Sequence, residues 1–279
     1  MSAMEAPGQE KRDGRTFWDA NPCGGQWASY AAFLDWYRRT EPYMFDSVDV
    51  YEWRGLRVLE VGCGQGALVN HLAGRGAAMT GIDMSPASIG RAASGARELG
   101  LDRQVRLLQA DAEHLPFADG TFDRVVSFGV LHHTPDTAHA VNELRRVLRP
   151  GGQAVVMLYR TGNPKWLATR ALRSWAGFVN RRHRLVEDGR RDLDVNDTRG
   201  TALLELFGVP TLKAFSNREV RVMFAGFKDV AIRNCQPGFV RLADIRPALG
   251  RIRPLLSAID RLMQRQWGFY QVIEGRKPD

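Results

Sequence analysis

The chain has 279 residues, of which 44% are hydrophobic and 25% are charged, with a formal net charge of +8. These values exclude collagen, a coiled coil and a wholly disordered chain, and a chain of this length can bury a core without disulfides or a metal. The three cysteines lie far apart and form no CxxC pair, the N-terminus has no apolar signal segment, and no apolar run reaches the roughly 18 residues of a membrane span. We therefore expect a cytoplasmic protein with no transmembrane segment.

The N-terminal region divides into a polar part and an aromatic part. Residues 1–15 are polar and terminal, and we predict that they are a disordered tail. Residues 16–53 are rich in Trp, Tyr and Phe, and the spacing within residues 27–39 predicts a helix. Aromatic rings commonly line ligand pockets, so we predict an aromatic helical lid over residues 16–53. The alternative is a helix that only packs on the core.

From residue 54 onward, short apolar strands alternate with helices. The predicted strands lie at residues 56–61, 77–82, 105–109, 122–128, 153–159, 227–235 and 267–274. This alternation predicts a doubly wound α/β fold with a mostly parallel seven-stranded sheet and helices on both faces. Residues 161–215 lack clear strands and predict a helical insertion after strand five, within one domain over residues 54–279. Such folds bind ligands beyond the carboxyl ends of their strands.

The first predicted strand ends in a glycine-rich turn, GCGQG at residues 62–66. Glycines let the backbone approach a ligand without an intervening Cβ. Alone, the turn fits a dinucleotide site, because Gly62, Gly64 and Ala67 satisfy the GxGxxG/A pattern and Asp83 stands where a ribose-binding acid would. It also fits a tight strand-to-helix turn that binds nothing.

Three later motifs distinguish these interpretations: DAEHLPF from residue 111, FDRVVSFGVLHH from residue 122 and LRPGG from residue 148. Together with the glycine-rich turn, they resemble the class I S-adenosylmethionine-dependent methyltransferases, in the type 11 or ubiquinone/menaquinone branch. The resemblance covers about residues 56–160, and a weaker likeness extends to the flanking motifs FWDANPCG, FSNRE and FAGF. It implies a Rossmann-like methyltransferase fold and S-adenosylmethionine as cofactor.

The resemblance also implies a cofactor site. The glycines of the turn would form a backbone bed for the methionine moiety, and Glu60 would orient that turn or meet the cofactor amine. Asp83 would accept the ribose hydroxyls in bidentate fashion, and Asp111 would accept the adenine amino group. The complete implied set is Glu60, Gly62, Cys63, Gly64, Gly66, Asp83, Met84, Asp111, Ala112 and Phe128.

The candidate catalytic residues are His132, His133 and Tyr159, which stand at or just beyond the ends of predicted strands where an acceptor would approach. Histidine titrates near neutral pH, so one of the two could deprotonate a hydroxyl group. The alternative is that both histidines are structural. We expect no metal ion, because no carboxylate pair near them has ligand spacing.

A basic stretch follows strand five, with eight Lys or Arg residues and two acidic residues between positions 165 and 191. It fits the solvated face of an amphipathic helix. It also fits a site for an anionic or carrier-bound acceptor, an RNA, or a membrane surface. Residues 241–265 are a second basic stretch, which adds to the positive charge without identifying its partner.

These observations predict methyl transfer to a small organic acceptor, in the form of O-methylation of a specialised metabolite or quinone-like compound. The alternative enzyme is an RNA base methyltransferase, although no separate RNA-binding domain is recognisable and a nucleic-acid partner is not expected. A non-catalytic cofactor-binding subunit is the remaining alternative. An intact glycine turn and Asp83 argue against it.

Overall fold

The computed structural model describes residues 7–22, 27–164, 166–167, 169–171, 174, 209–236 and 251–279. Their strands are β1 (Arg57–Val61), β2 (Ala78–Asp83), β3 (Val105–Gln109), β4 (Phe122–Phe128), β5 (Leu148–Tyr159), β6 (Lys228–Cys235) and β7 (Tyr270–Arg276). The helices are α1 (Pro7–Ala20), α2 (Tyr30–Thr40), α3 (Pro42–Val48), α4 (Ala67–Gly74), α5 (Pro86–Glu98), α6 (Thr137–Val147), α7 (Asn217–Met223) and α8 (Arg253–Trp267), with a 3-10 turn at Leu131–His133.

The strands form one seven-stranded sheet in the order β3-β2-β1-β4-β5-β7-β6. All neighbours from β3 to β5 are parallel, while β7 pairs antiparallel with both β5 and β6. The strand order reverses between β1 and β4, and a crevice opens at such a switch point in this class of sheet. The predicted α/β fold with a mostly parallel seven-stranded sheet is confirmed.

Successive side chains of each strand point to opposite faces, and this alternation builds two cores. In β1, Val58 belongs to the core shared with α2, α3 and α4, whereas Leu59 belongs to the core shared with α6 and α7. Both side chains are completely buried. The sheet is therefore covered on both sides, which explains why its central strands are nearly continuous hydrophobic runs.

Side-chain caps fix where the helices near the crevice begin. The Oγ atom of Ser85 accepts the N–H of Ser88, and Pro86 occupies the first turn of α5, as the sequence predicts. Asp136 caps α6 in the same way through the N–H of His139. Each cap gives a hydrogen-bond acceptor to a backbone N–H group of the first helical turn. It thereby fixes where the preceding loop ends.

The N-terminal region differs from the sequence prediction. Residues 7–15, predicted to belong to a disordered tail, lie in helix α1, where Lys11 forms ion pairs with two acidic residues of the sheet edge. Helix α2 begins at Tyr30 instead of residue 27, because the Oγ atom of Ser29 accepts the N–H of Ala32. Tertiary ion pairs and a local cap account for these two differences.

Two strand boundaries also differ from the prediction. Strand β5 begins at Leu148, five residues earlier than predicted, because Phe122 of β4 pairs with Leu148 beyond a register shift. The last strand begins at Tyr270, since the residues up to Trp267 continue helix α8.

Most of the predicted insertion over residues 161–215, and with it most of the basic stretch, lies outside the described residues. In the described part, no helix is both long and apolar enough to cross a membrane. Cys63 and Cys235 are buried free thiols.

Candidate functional site

A large cavity lies at the carboxyl ends of the parallel strands, where β1 and β4 meet at the switch point. Eleven of the thirteen predicted site residues contribute to its wall: Glu60, Gly62, Cys63, Gly64, Asp83, Met84, Asp111, Ala112, Phe128, His133 and Tyr159. The other two, Gly66 and His132, are buried behind that wall. The topology therefore brings together residues that are up to a hundred positions apart in the chain.

The backbone conformation of the glycine turn exposes its peptide groups to the cavity. Gly62 and Gly64 both have positive φ angles, +76° and +51°, which only glycine adopts without strain. The N–H groups of Gly62 and Cys63 donate to the carbonyl oxygen of Ile82, at 2.8 and 2.9 Å. Apart from Gly64 and its two chain neighbours, no atom of the described residues lies within 4 Å of the place where a Gly64 Cβ would stand, so the turn leaves open space, the Gly64 cradle, that a side chain would fill.

Asp83 ends β2 beside this turn and already binds the backbone through both oxygens. Its Oδ2 accepts the N–H of Gly64 at 2.9 Å, and its Oδ1 accepts the N–H of Ser85 at 2.9 Å. Burial raises the pKa of Asp83, and the backbone donors oppose that shift. Each carboxylate oxygen can accept more than one hydrogen bond, so both remain able to accept from a diol.

Glu60 lies deeper in the cavity wall, at the end of β1. Its side chain is buried and its Oε2 atom has no hydrogen-bond partner. Burial, followed by the charge of Asp83, raises the pKa of Glu60 well above its usual range. An orphaned carboxyl oxygen that lines a cavity is suited to a cationic ligand group, which would supply the missing donor.

The cradle, the orphaned Glu60 oxygen and the Asp83 carboxylate together fit S-adenosylmethionine. They offer space for its amino-acid moiety, an acceptor for its ammonium group and a bidentate acceptor for its ribose. The third acidic residue, Asp111, follows β3 and also lines the cavity, as do its neighbour Ala112 and Met84 in the loop after β2.

Lys11 of α1 also lines the cavity, and no sequence motif indicated it. Its Nζ atom lies 2.6 Å from Asp111 Oδ2 and 2.7 Å from Glu113 Oε2. Asp111, Glu113 and His114 place potential metal-ligand atoms within 4.8 Å of one another. The single ammonium group of Lys11 bridges the two carboxylates and offsets one of their two negative charges.

The other end of the cavity is aromatic. Trp18 comes from α1, Phe33 and Trp36 from α2, and Tyr43 from α3, and they line the cavity together with Tyr159 and Tyr270 of the sheet. Tyr43 stacks on Tyr270 at 4.7 Å between ring centroids. Burial raises the pKa of Tyr43 well above its usual range, so its hydroxyl stays protonated. The sequence indicated an aromatic segment here, but it could not show which rings reach the cavity.

The two adjacent histidines have different environments. His133 lines the cavity, packs edge-on against Trp18 at 5.3 Å, and has its Nδ1 atom 2.8 Å from the carbonyl oxygen of Thr211. His132 has no exposed surface and stacks on Tyr159 at 3.8 Å, and both its ring nitrogens lack partners. Burial lowers the pKa of His132 well below its usual range. The geometry therefore favours His133 over His132 as a group that meets an acceptor.

Comparisons with known proteins identify the class of the central part of the chain. Residues 59–156 match the family model described as a methyltransferase domain. The chain is 38% identical to methyltransferase GfsG of Streptomyces halstedii over 43% of this chain and 42% of that protein. It is 41% identical to a ubiquinone biosynthesis O-methyltransferase of Alkalilimnicola ehrlichii over 40% of this chain and 44% of that protein. The chain thus spans less than half the length of these relatives.

Among solved structures, the fold resembles a Haloferax volcanii methyltransferase in complex with the Trm112 methyltransferase activator. The TM-score is 0.59 with 20% identity, over 95% of this chain and 98% of that one. This likeness shows the fold, while the matched family model and the curated relatives show the class. Residues 59–156 therefore form a class I S-adenosylmethionine-dependent methyltransferase domain, with S-adenosylmethionine as its methyl donor.

Proposed function

We propose that this chain transfers the methyl group of S-adenosylmethionine to a hydroxyl oxygen of a small organic acceptor with a flat, apolar body. The observation that carries the proposal is the division of one cavity into two ends. Carboxylates and glycine backbone at the ends of β1, β2 and β3 form the cofactor end. The acceptor end is formed by a connected group of rings, Tyr43, Tyr270, Tyr159, His133 and Trp18. The acceptor class is a specialised metabolite or a quinone-like compound.

The cofactor end holds its ligand through charge and shape. The Gly64 cradle takes the amino-acid moiety, Glu60 takes its ammonium group, and Asp83 takes the ribose hydroxyls. Hydrogen bonds to charged groups each contribute about 1.5–3 kcal/mol. Asp111 and the Ala112 backbone lie at the adenine end, where Lys11 holds the Asp111 carboxylate in place.

The acceptor end binds through ring faces. Aromatic side chains bury large areas and prefer offset or edge-on contacts with another ring, worth about 0.5–1.5 kcal/mol beyond the area term. Trp18, Trp36 and Tyr43 offer such contacts to a flat acceptor. Phe128, which the family resemblance implies for the cofactor, lies 6.4 Å from Tyr43 between ring centroids and borders both ligands. One matched relative is named as an O-methyltransferase of ubiquinone biosynthesis, and this name supports the same class of acceptor.

The chemistry needs little beyond position and one proton transfer. When bound, the cofactor supplies a sulfonium methyl carbon that is already electrophilic. His133 takes the proton of the acceptor hydroxyl as that oxygen becomes the nucleophile. A carbonyl oxygen can only accept, so the Thr211 contact places the ring proton on Nδ1 and makes Nε2 the basic nitrogen. The aromatic wall excludes water and aligns the acceptor.

Helix α1 serves as a lid over both ends in this proposal. Lys11 pairs with Asp111 and Glu113 at the cofactor end, and Trp18 packs against His133 at the acceptor end. Between them, Asp19 accepts the Ser85 hydroxyl at 2.6 Å and the Ala87 N–H at 3.2 Å. These contacts support a lid whose closure completes the cavity.

A membrane surface is the partner that helix α8 supports best. Leu255 and Leu262 are 58% and 79% exposed on one side of the helix, and they are flanked by exposed arginines at positions 251, 261 and 265. Apolar side chains beside arginines suit an anionic lipid surface, where a lipophilic acceptor would reside. Sedimentation with phosphatidylglycerol vesicles tests this, with Leu262→Glu as the variant that should lose binding.

The proposed reaction is tested by incubating the protein with cofactor labelled in the methyl group and panels of phenols and hydroquinones, amines, and bulk tRNA. We expect a mass gain of one methyl group on a phenol or hydroquinone and a large loss of that turnover in His133→Asn. Label on tRNA alone would identify the alternative RNA methyltransferase. Label on amines alone would contradict the assignment of oxygen as the acceptor atom.

A further inference from the structure

A tyrosine outside the cavity wall holds the end of the glycine turn. The hydroxyl of Tyr30, the first residue of α2, donates to the carbonyl oxygen of Gly66 at 2.6 Å. The same carbonyl accepts the N–H of Asn70 at 3.1 Å, which is the hydrogen bond that opens α4. The last peptide group of the turn is therefore fixed from two sides, by a helix of the core and by a helix of the N-terminal region.

The hydroxyl of Tyr30 is itself oriented. The Nδ2 atom of Asn70 donates to it at 2.7 Å, so its own proton is directed to Gly66. Burial is the largest cause that raises the pKa of Tyr30 and keeps the hydroxyl protonated as a donor. Asn70 is nearly fully buried, so water does not compete for the hydrogen bond between its amide and the Tyr30 hydroxyl.

The ring of Tyr30 packs closely against α5 at Gly95. A Cβ atom at Gly95 would overlap three ring atoms of Tyr30, so the close approach of ring and helix requires glycine there. The backbone N–H of Tyr30 also lies 3.2 Å from the Glu98 carboxylate. Because the ring and the backbone of Tyr30 both have fixed contacts, its hydroxyl stays in one position and restrains the glycine turn.

The later turns of the same helix face the acceptor end of the cavity. Phe33 and Trp36, three and six residues after Tyr30, contribute to that wall. One short helix thus touches the cofactor turn with its first residue and the acceptor wall with its next turns.

From this arrangement, we propose that Tyr30 is a positioning residue for the methyl donor: it fixes the glycine turn in the shape that receives the amino-acid moiety of the cofactor. The inference rests on the proposed function, because it requires that moiety to lie on the turn. Tyr30 is not one of the described residues that line the cavity, so it acts through Gly66 and not by contact with the ligand.

The test compares two ligands that differ in that moiety. S-adenosylhomocysteine carries the amino-acid group, and 5′-methylthioadenosine lacks it. Loss of one hydrogen bond in Tyr30→Phe should weaken S-adenosylhomocysteine binding by roughly three- to tenfold in calorimetry. Binding of 5′-methylthioadenosine should change by less than about twofold, since only the turn is loosened.

Tyr51→Phe is the matched control. Tyr51 also uses its hydroxyl in side-chain hydrogen bonds, to Glu274 and Gln153, but it does not touch the glycine turn. We expect this variant to bind both ligands like the parent protein. If Tyr30→Phe does not fold, Gly95→Ala displaces the ring while it keeps the hydroxyl, and the same selective loss is expected.

Unchanged binding of S-adenosylhomocysteine in Tyr30→Phe would overturn the inference, as would an equal loss for both ligands, which indicates general loosening of the site. If the parent protein binds neither ligand, the proposed function itself fails and this inference falls with it. If the parent binds both ligands and Tyr30→Phe shows no selective loss of S-adenosylhomocysteine binding, the proposed function stands and Tyr30 is merely structural.

Discussion

The two ends of the cavity are built in different ways. The cofactor end comes from one part of the chain, from Glu60 to Ala112, in which each group stands at or just after the carboxyl end of a parallel strand. The acceptor end collects rings from α1, α2, α3, β4, β5 and β7, which are spread from Trp18 to Tyr270. The first end is polar and held by backbone hydrogen bonds, whereas the second is held by ring packing.

This contrast separates what a fold dictates from what a particular chain adds. The carboxyl ends of neighbouring parallel strands must meet, so short polar motifs after them form a site wherever the fold forms. Rings from distant helices meet only if the tertiary packing brings them together. Changes at the cofactor end should therefore affect cofactor affinity alone, and changes at the acceptor end should affect acceptor binding alone.

The largest effect is expected for Asp83→Ala. The variant removes a buried carboxylate that accepts from Gly64 and Ser85 and, in our proposal, from the ribose. Loss of about 1–3 kcal/mol corresponds to roughly a five- to 150-fold weaker affinity for S-adenosylhomocysteine in calorimetry. Asp123→Ala, which breaks ion pairs with Arg57 and Arg149 elsewhere on the sheet, is the control and should bind normally. Equal affinities for all three proteins would disprove the role of Asp83.

Glu60→Gln should give the next largest effect, about tenfold weaker cofactor binding, because the ammonium group loses its charged partner. The raised pKa of Glu60 gives a signed pH dependence. In the parent protein, cofactor affinity should rise as pH increases through that pKa and the carboxyl group ionises. In the variant this rise should be absent. Calorimetry over a range of pH values measures both.

The same variant should change stability in the opposite direction. A carboxyl group whose pKa is higher in the folded than in the unfolded state stabilises the fold at low pH, and it loses that contribution as pH rises through the folded value. At neutral pH without cofactor, Glu60→Gln should therefore raise the melting temperature relative to the parent. A lower melting temperature would show that the Glu60 oxygen has a favourable partner in the free protein.

Trp18→Ala tests the acceptor end. Loss of one ring from the wall should raise the KM for a phenolic acceptor by roughly two- to tenfold while the affinity for S-adenosylhomocysteine stays the same. Trp267→Ala, at the end of α8 and away from the described cavity wall, provides a matched loss of a tryptophan. A parallel fall in cofactor affinity would show that the two ends are not separable.

The smallest effect is expected for Lys11→Met. Its ion pairs with Asp111 and Glu113 are partly exposed, and pairs of this kind contribute about 0–1 kcal/mol. The melting temperature should fall slightly at low salt, and the difference from the parent should shrink in 1 M NaCl, a concentration that screens charges within about 3 Å. A salt-independent loss would point to packing of the lysine stem instead.

That the residues of the cofactor end line one cavity could be predicted from the sequence, because the signals are local. The turn at residues 62–66, Asp83 and Asp111 each follow a recognisable strand, and the fold class follows from the alternation of strands and helices. It did not predict Lys11 or Tyr30, because their partners lie 100 and 36 positions away. It also could not separate His132 from His133, since their burial depends on how Tyr159 and Trp18 pack.

The central claim is that the glycine turn and Asp83 together receive the methyl donor, and a crystal structure of the protein with S-adenosylhomocysteine tests it most directly. The account predicts the ribose against the Asp83 carboxylate, the amino-acid moiety on residues 62–66 and its ammonium group at Glu60. Density for the ligand elsewhere, or a cavity that instead takes up a nicotinamide dinucleotide, would contradict it.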